Sequence, residues 1–500
     1  MEQKARKDFM LILFCLLAAV ILFTNLGNIY LWQDEAVTAV LGSNTLNFGI
    51  PRAFDGKNLI TNIYADPCKY KGWKYSSWLQ FYLVAASFWL FGENTFAARF
   101  PFAVFGIGSV ILCYLLAQRL FKNRLISRLS VSFMVFSPLF FLYMRQSRWY
   151  ALLMFFTLWL LVSYLDLMKK NKFSALGFIV SGILLFHSNH GIFFPVMMAI
   201  GAHFIIFNRK NIKVRDMLCY LFTIVLFTLP FYLYLASTEF SGAMTLGRTK
   251  GHLEFYFRVL NKYMFPYGFL FLSLGIFAFF KNKVFPILNR PLDKSCLWLL
   301  VAVFISTICF LLLHDERQLR YLIHLLPLSC ILMSLLIAGC LKVNAIVAVL
   351  VFSVVCFTNI FHTGSPFRKE LWIPQVSISH ELTHDYDGPV EGIIKFLNKN
   401  AKPTDTVKLT MGDYAVIFYT DLKVDNSSFA RETFPEWIVI RNDWFPLKDL
   451  SNQYRKQIES RYQRIVLNYP DIMWENRPDP GYHKFKTAKG WPDVVIYKKR

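Results

Sequence analysis

Apolar runs long enough to cross a hydrocarbon core, roughly 17–25 residues each, recur from Phe9 to about Ile360 and then stop. In lipid every backbone N–H and C=O must be paired within the protein, so a chain of this pattern folds as successive membrane helices. Composition agrees: of 500 residues 55% are hydrophobic and 17% aromatic, while only 17% are charged, too apolar for an ordinary soluble enzyme. From His362 to Arg500 the chain changes character and mixes charge, aromatics, Pro and Gly as a water-soluble domain does.

Lys and Arg are retained on the cytoplasmic side, and their placement orients the spans. Lys4, Arg6 and Lys7 put the N-terminus inside, and the first apolar run, about Phe9 to Leu26, reads as an uncleaved helix for want of a small-residue cleavage site. It leads to a long outer loop, 29–96, carrying Trp32-Gln33-Asp34-Glu35. Within that loop Trp78–Phe91 is apolar but short, and topology decides its place. As a span it would move every later basic loop outside. Lying on the outer surface, it leaves Lys122/Arg124/Arg128, Lys169/Lys170/Lys172, Arg209/Lys210/Lys213/Arg215, Lys281/Lys283/Arg290/Lys294 and Lys342 inside.

Further spans are expected at about 97–120, 128–144, 149–167, 173–187, 192–207, 217–235, 266–280, 296–313, 321–340 and 343–361, roughly eleven in all. The chain then divides into a membrane domain, 1–361, and an extracytoplasmic α/β domain, 362–500. The second has strand-like runs Thr406–Thr410, Trp437–Ile440, Arg464–Leu467 and Val494–Tyr497, and helical stretches Gly392–Lys399 and Lys448–Glu459. Eight of the nine cysteines lie in apolar segments, leaving Cys68 in an aqueous one, and no spacing suggests a disulfide framework or a metal site.

A formal charge of +22 would suggest a nucleic acid or acidic partner in a soluble protein. Here the membrane and an anionic lipid substrate account for it, and no nucleic-acid partner is expected. The informative cations are those on the outer side: Lys69, Lys71 and Lys74; Arg145 and Arg148; Arg248, Lys250, Arg258 and Lys262; Arg317 and Arg320. Such groups bind either anionic lipid head groups or a specific phosphate, and the Arg pairs at helix ends favour the phosphate. Asp34-Glu35, a few residues past the first helix, is the acidic counterpart. It reads either as a helix cap with Glu35 in the first turn, or as an acid tuned by neighbouring charge and partial burial. His187 and His190, in His-Ser-Asn-His-Gly at the outer end of a helix, could contact a sugar or cap the helix, and their spacing is nonspecific for metal.

Tyr30-Leu31-Trp32-Gln33-Asp34-Glu35-Ala36, followed by Trp89-Leu90-Phe91-Gly92 and Arg99, resembles the lipid-A aminoarabinose transferases and protein O-mannosyltransferases. These belong to the glycosyltransferase C superfamily. Arg145-Gln146-Ser147-Arg148-Trp149-Tyr150-Ala151-Leu152 is similar to the R-x-x-R-x-Y-A-L signature of its bacterial mannosyltransferase-like branch, and Arg320-Tyr321-Leu322 with Pro327 to its R-Y-L…P segment. The matches run through most of residues 1–340. Glu391–Val424 and Asn476-Arg477-Pro478-Asp479-Pro480 look like the periplasmic cap of some relatives.

The resemblance implies a polytopic helical fold and a polyprenyl-phosphate sugar donor. It makes Asp34 the catalytic Asp of the first outer loop, with Glu35 beside it, and brings Lys74 to the donor phosphate. Some relatives carry another acid in the second outer loop, where this chain has Arg145 and Arg148, so no obligatory divalent cation is expected, although one is compatible with the site. The expected reaction moves a sugar from the polyprenyl-phosphate donor to a lipid, glycan or protein acceptor on the extracytoplasmic face of a bacterial inner membrane. Asp34 takes the acceptor proton. Arg145, Arg148, Arg320 and Lys74 stabilise the departing phosphate. Tyr150, His187, His190 and Arg317 contact substrate, and attack opposite the phosphate inverts the anomeric centre. The alternative from another class is a transporter or flippase of lipid-linked sugars, which would carry broken helices and midplane charges.

Overall fold

The computed structural model describes residues 8–60, 66–169, 173–209, 212–236, 249–279, 291–314, 316–358, 374–385, 388–427, 429, 431–441, 450–472, 476–478, 483 and 490–500. Lys4, Arg6, Lys7, Lys170, Lys172, Lys210, Arg248, Lys281, Lys283, Arg290, Asp479 and Pro480 lie outside the described residues. Two compact units are present: a helical unit of Met1–Phe23, Phe102–Arg145 and Trp149–Ile378, and a mixed unit of Thr24–Pro101, Gln146–Arg148 and Ser379–Arg500. Thus the stretch Thr24–Pro101 is grouped with the C-terminal region rather than with the helices that flank it in sequence.

The chain is a polytopic helical membrane protein. Among the described residues six helices are long and apolar enough to cross a bilayer: Thr95–Phe121, Tyr150–Leu167, His190–Asn208, Val214–Ala236, Ser295–Leu312 and Leu319–Val343. A seventh span arises if the bent pair Arg124–Val135 and Pro138–Met144 is counted as one, and Phe9–Phe23, Leu79–Phe91, Ser174–Ser188 and Ala345–Phe357 are shorter apolar helices. Tyr150–Leu167 is buried almost throughout. Val214–Ala236 instead exposes Phe222, Leu226 and Phe227, as a helix facing lipid does. The stretch expected as one span over 128–144 bends by 64°. Pro138 is the cause: it supplies no N–H and forces Ser137 into extended backbone.

In the mixed unit, α2 (Gln33–Phe48) follows the first helix α1 (Phe9–Phe23). The sequence places this stretch in the 29–96 loop, with a helix capped by Asp34 as one of the two readings of the acid pair. Its end is nonetheless marked: Gly49 takes φ +75°, and its N–H closes on Thr45 O at 2.9 Å. α3 (Leu79–Phe91) is helical over the short apolar stretch 78–91 and has 13 residues, about 20 Å, less than a core of about 30 Å. It packs on α2 at Gly42, where a Cβ would lie 2.4 Å from Val84 Cγ1, so only glycine allows this approach. Trp89 and Leu90 at its far end are exposed, as suits a membrane interface. α4 (Thr95–Phe121) contributes its first residues, up to Pro101, to the same unit.

The C-terminal region is α/β, as expected. Its sheet has strands β1 (Thr406–Leu409), β2 (Lys423–Val424), β3 (Trp437–Ile440), β4 (Tyr462–Pro470) and β5 (Asp493–Lys499) in the order β2-β1-β3-β5-β4. β1 is parallel to β2 and β3, with Val407 opposite Trp437, and β5 is antiparallel to β3 and β4, with Val439 opposite Ile496. Ile438, Ile440, Tyr454, Ile458 and Tyr462 bury one face under the helix Asn452–Arg461. The β2 edge is covered by the segment around Asn58: Val424 N donates to Asn58 Oδ1 at 2.8 Å, and Asn58 Nδ2 to Leu422 O at 3.2 Å. Neither β2 nor the helix Asp413–Tyr419 was read from sequence.

Candidate active site

The first turn of α2 carries Gln33, Asp34 and Glu35. Consecutive helical residues point about 100° apart, so the three side chains leave in three directions, and each meets a different partner. The N-cap residue is Trp32, which makes no side-chain cap. The acids therefore sit inside the first turn, where the helix dipole favours them, rather than at the cap.

Glu35 is fully buried. Arg99 of α4 grips it as a fork, Nε to Oε1 at 2.8 Å and Nη2 to Oε2 at 2.7 Å. Ser147 N donates to Oε1 at 2.8 Å, and Asn476 Nδ2 approaches Oε2 at 3.5 Å. The Nη1 of Arg99 also donates to Leu26 O at 2.9 Å and Ile29 O at 2.8 Å, tying down the chain between α1 and α2. Both carboxylate oxygens of Glu35 are thus committed to the scaffold. The expectation that paired it with Asp34 in chemistry changes: Glu35 is placed to position the turn.

Asp34 leaves in another direction. Its Oδ2 lies 3.6 Å from Arg148 Nη2, and the two side chains are 26% and 15% exposed. Arg148 Nη1 also donates to Thr38 Oγ1 at 3.2 Å, one turn along α2. Arg148 Nε and Ser147 Oγ are buried and have no hydrogen-bond partner among the described residues. An acid and a cation thus meet at a partly open position with buried polar atoms unspent, in contrast to the sealed Glu35–Arg99 pair nearby. Lys74 belongs to the same unit and is half-buried in the loop before α3, where Trp73 N donates to Pro51 O at 2.8 Å.

Residues far along the chain hold the turn. Gln33 Nε2 donates to Asp413 Oδ1 at 2.7 Å, and Gln33 Oε1 accepts from Gly412 N at 3.2 Å. Leu31 N donates to the Tyr419 hydroxyl at 3.0 Å, and the rings of Tyr30 and Tyr419 stack with centroids 4.3 Å apart. Asn476 Nδ2 donates to Tyr30 O at 3.0 Å, while Gln146 takes the Trp32 indole N–H and donates to Asn476 O at 3.3 Å.

Burial pushes the Asp413 carboxyl up to about 6, against the bond from Gln33 and the backbone N–H groups of Asp413 and Tyr414, which pull it down. With an ordinary value of 3.8 in the unfolded chain, the folded protein keeps a proton between about pH 4 and 6 that the unfolded chain releases. Its contribution is best below about pH 4, worsens as pH rises to about 6, and stays roughly 3 kcal/mol worse above that. Asp413→Asn carries no such titration. It should therefore unfold at a higher temperature than wild type at pH 8 and at the same temperature at pH 4. Thermal unfolding in detergent at the two pH values checks this, and a variant less stable at pH 8 would contradict it.

The helical unit holds the remaining expected residues. Arg145 is buried, with Nη1 donating to Ile21 O at 2.8 Å and Leu22 O at 3.2 Å. It caps the carbonyl end of α1, a structural task that sequence reading did not assign it. Tyr150 is fully buried beside Trp149 and Tyr143, and its hydroxyl has no hydrogen-bond partner among the described residues. Trp149 stacks on Tyr321, centroids 6.1 Å apart, and the guanidinium of Arg320 lies over the Tyr321 ring at 5.7 Å, with Nη2 3.8 Å from Glu316 Oε2. Arg317 is exposed and its Nη1 reaches Gly251 O at 3.4 Å, next to the buried His252, whose Nδ1 has no partner among the described residues. His187 packs edge-on to Phe186 and against Phe231 at the end of one helix, while His190 opens the next after the Asn189 cap. The structure thus brings Asp34, Glu35 and Arg148 together in one unit, and Tyr150, Arg317 and Arg320 around the 314–325 segment in the other. Among the described residues no three His, Cys, Asp or Glu side chains group as metal ligands.

The family model described as dolichyl-phosphate-mannose-protein mannosyltransferase matches residues 77–235. Among solved structures the chain is similar to ArnT from Cupriavidus metallidurans bound to undecaprenyl phosphate. The identity is 11%, with 98% of each chain covered and a TM-score of 0.57. It is also similar to the oligosaccharyltransferase AglB from Archaeoglobus fulgidus in complex with an inhibitory peptide and a dolichol-phosphate, at 12% identity, 92% of this chain and 74% of that one, TM-score 0.52. The chain has the glycosyltransferase C fold. No curated protein sequence matches it. With this fold, the site residues that the sequence did not single out are Gln33, Ser147, Asp413 and Asn476. Arg99 had a signal, since a charge inside a long apolar helix marks a buried pair or a functional group. Asp413 had none, because its partner lies 380 residues away.

Proposed function

We propose that this protein transfers a sugar from a polyprenyl-phosphate carrier to a hydroxyl-bearing acceptor, lipid, glycan or protein, at the extracytoplasmic face of a bacterial inner membrane. The reading is carried by the Asp34–Arg148 pair: a carboxylate on a rigidly held helix turn, partly open, beside a guanidinium with a donor to spare. Asp34 accepts the acceptor proton as the nucleophile attacks the anomeric carbon. The sugar–phosphate bond breaks and its electrons go to the phosphate oxygen. Arg148 and Lys74 take the phosphate charge, Arg148 through its planar fork, and Arg320 is a proposed phosphate contact. Arg145 adds positive charge while capping α1. Tyr150, Arg317, His187 and His190 are proposed substrate contacts, with the unspent Tyr150 hydroxyl the best suited of them. Attack from the side opposite the phosphate gives inversion, and no obligatory divalent cation is assigned.

Two features beyond the site support this. The fold is shared with proteins solved with undecaprenyl phosphate or dolichol-phosphate bound. The matching family description names a dolichyl-phosphate-mannose donor. The test uses the purified protein in vesicles with the polyprenyl-phosphate-sugar fraction of its source membrane, radiolabelled in the sugar. Label bonded to a new acceptor, with stoichiometric release of polyprenyl phosphate, is the expected result. Label that crosses the bilayer still attached to its lipid would make the protein a transporter instead.

A further inference from the structure

We infer that Asp413 and Gln33 form a positioning clamp for Asp34, so that the crevice of the C-terminal α/β domain serves the reaction by holding the catalytic turn; this rests on the reading of Asp34 as the base. The argument starts from the sheet. In open α/β sheets ligands bind outside the carboxyl ends of parallel strands, where the chain turns to opposite sides. β1 is such a strand: it runs on through the helix Asp413–Tyr419 to β2 on one side, and β3 lies on its other side. The carboxyl ends of β1 and β3 are tied to each other, with Arg441 N donating to Thr410 Oγ1 at 2.7 Å and Thr410 N to Val439 O at 3.1 Å. A buried ion pair, Arg441 Nε to Asp471 Oδ1 at 2.6 Å, stiffens that edge. Gly412, at φ +93°, makes the turn, and the position a ligand would take is filled by the Gln33 amide, bonded to Gly412 N and Asp413 Oδ1.

Gln33 is the residue before Asp34. A helix turn can swivel about its axis, and the Asp34–Arg148 contact, long at 3.6 Å and partly exposed, is too weak to prevent that. Gln33 and Glu35, about 200° apart, can: any swivel breaks the Asp413 bond on one side and the Arg99 fork on the other. The far end of the same short helix repeats the grip, since the Tyr419 hydroxyl accepts from Leu31 N and bonds Thr95 Oγ1 at 2.7 Å. The clamp therefore brackets the catalytic residue and leaves it accessible. A misplacement of about 1 Å in a reacting group costs on the order of 100-fold.

The test measures polyprenyl phosphate release by the full-length protein from the polyprenyl-phosphate-sugar fraction of its source membrane. Gln33→Leu and Asp413→Leu remove the bond while keeping bulk, and Asp413→Asn keeps an acceptor for Gln33 Nε2. The leucine variants are expected to lose 10- to 100-fold in kcat with KM for the donor within threefold, whereas Asp413→Asn stays within threefold of wild type. If Asp413→Leu fails to fold, Gln33→Leu, at a half-buried position, carries the test. Leucine variants at wild-type kcat beside a dead Asp34→Asn overturn the clamp and leave the base standing. So does a loss confined to KM, or an equal loss in Asp413→Asn. An active Asp34→Asn, or a wild type that releases nothing, overturns the base itself and the clamp with it.

Discussion

On the proposed function, Asp34→Asn is expected to lower kcat by roughly 100- to 10,000-fold, the usual worth of a positioned general base, while leaving the protein folded and its affinity for a polyprenyl phosphate within about threefold. The two halves of that expectation have separate physical grounds. The Asp34–Arg148 contact is long and partly solvated, and exposed ion pairs contribute about 0–1 kcal/mol, so neutralising the acid leaves the turn in place. Gln33 and Glu35 still hold it from either side. What the amide cannot do is accept a proton from an incoming hydroxyl, and no other carboxylate of the turn is at liberty to replace it, because both oxygens of Glu35 are spent on Arg99, Ser147 and Asn476. Asp34→Glu should recover part of the rate, since it restores the base on a stem one methylene too long. Full activity in the asparagine variant, read as released polyprenyl phosphate, would remove Asp34 from the mechanism.

Arg99→Met is expected to be the most damaging single change to stability, on the order of 3–5 kcal/mol. It leaves the fully buried Glu35 carboxylate without its cation and strips the carbonyls of Leu26 and Ile29 of their donor. Removing both charges, as Glu35→Met with Arg99→Met, cancels the uncompensated ion but not the orphaned Leu26 and Ile29 carbonyls or the Ser147 N–H. The double variant should therefore remain destabilised, yet by clearly less than the sum of the singles, a coupling of about 1–3 kcal/mol. Thermal unfolding of the four proteins in detergent measures it, and strict additivity would show that the fork contributes nothing as a pair.

The spans were legible because lipid demands long apolar runs, and the strands Thr406–Leu409 and Trp437–Ile440 because β-branched and aromatic residues run between turn signals. The Asp34-Glu35 pair stood out in the sequence as a motif, but its surroundings did not. α2 was not legible, since its stability comes from packing against α3 and from its partners at either end rather than from any stripe in its own sequence. The proline bend after Val135 was visible as Pro138, but not its size. The division of labour between Asp34 and Glu35 was hidden for a deeper reason. Adjacent acids look alike in sequence, and what separates them is whether an arginine from a later helix reaches one or the other.

The partners of the α2 turn have a consequence for when this protein becomes competent. Gly412, Asp413, Tyr419 and Asn476 are translated long after Gln33 and Glu35, across separations of 379 to 441 residues, and such contacts close late. A nascent chain whose membrane helices are already inserted presents Asp34 on a turn that nothing yet steadies. If Asp34 is the base proposed above, synthesis of the final domain is also the moment of activation, and prematurely terminated chains are expected to sit in the bilayer inert.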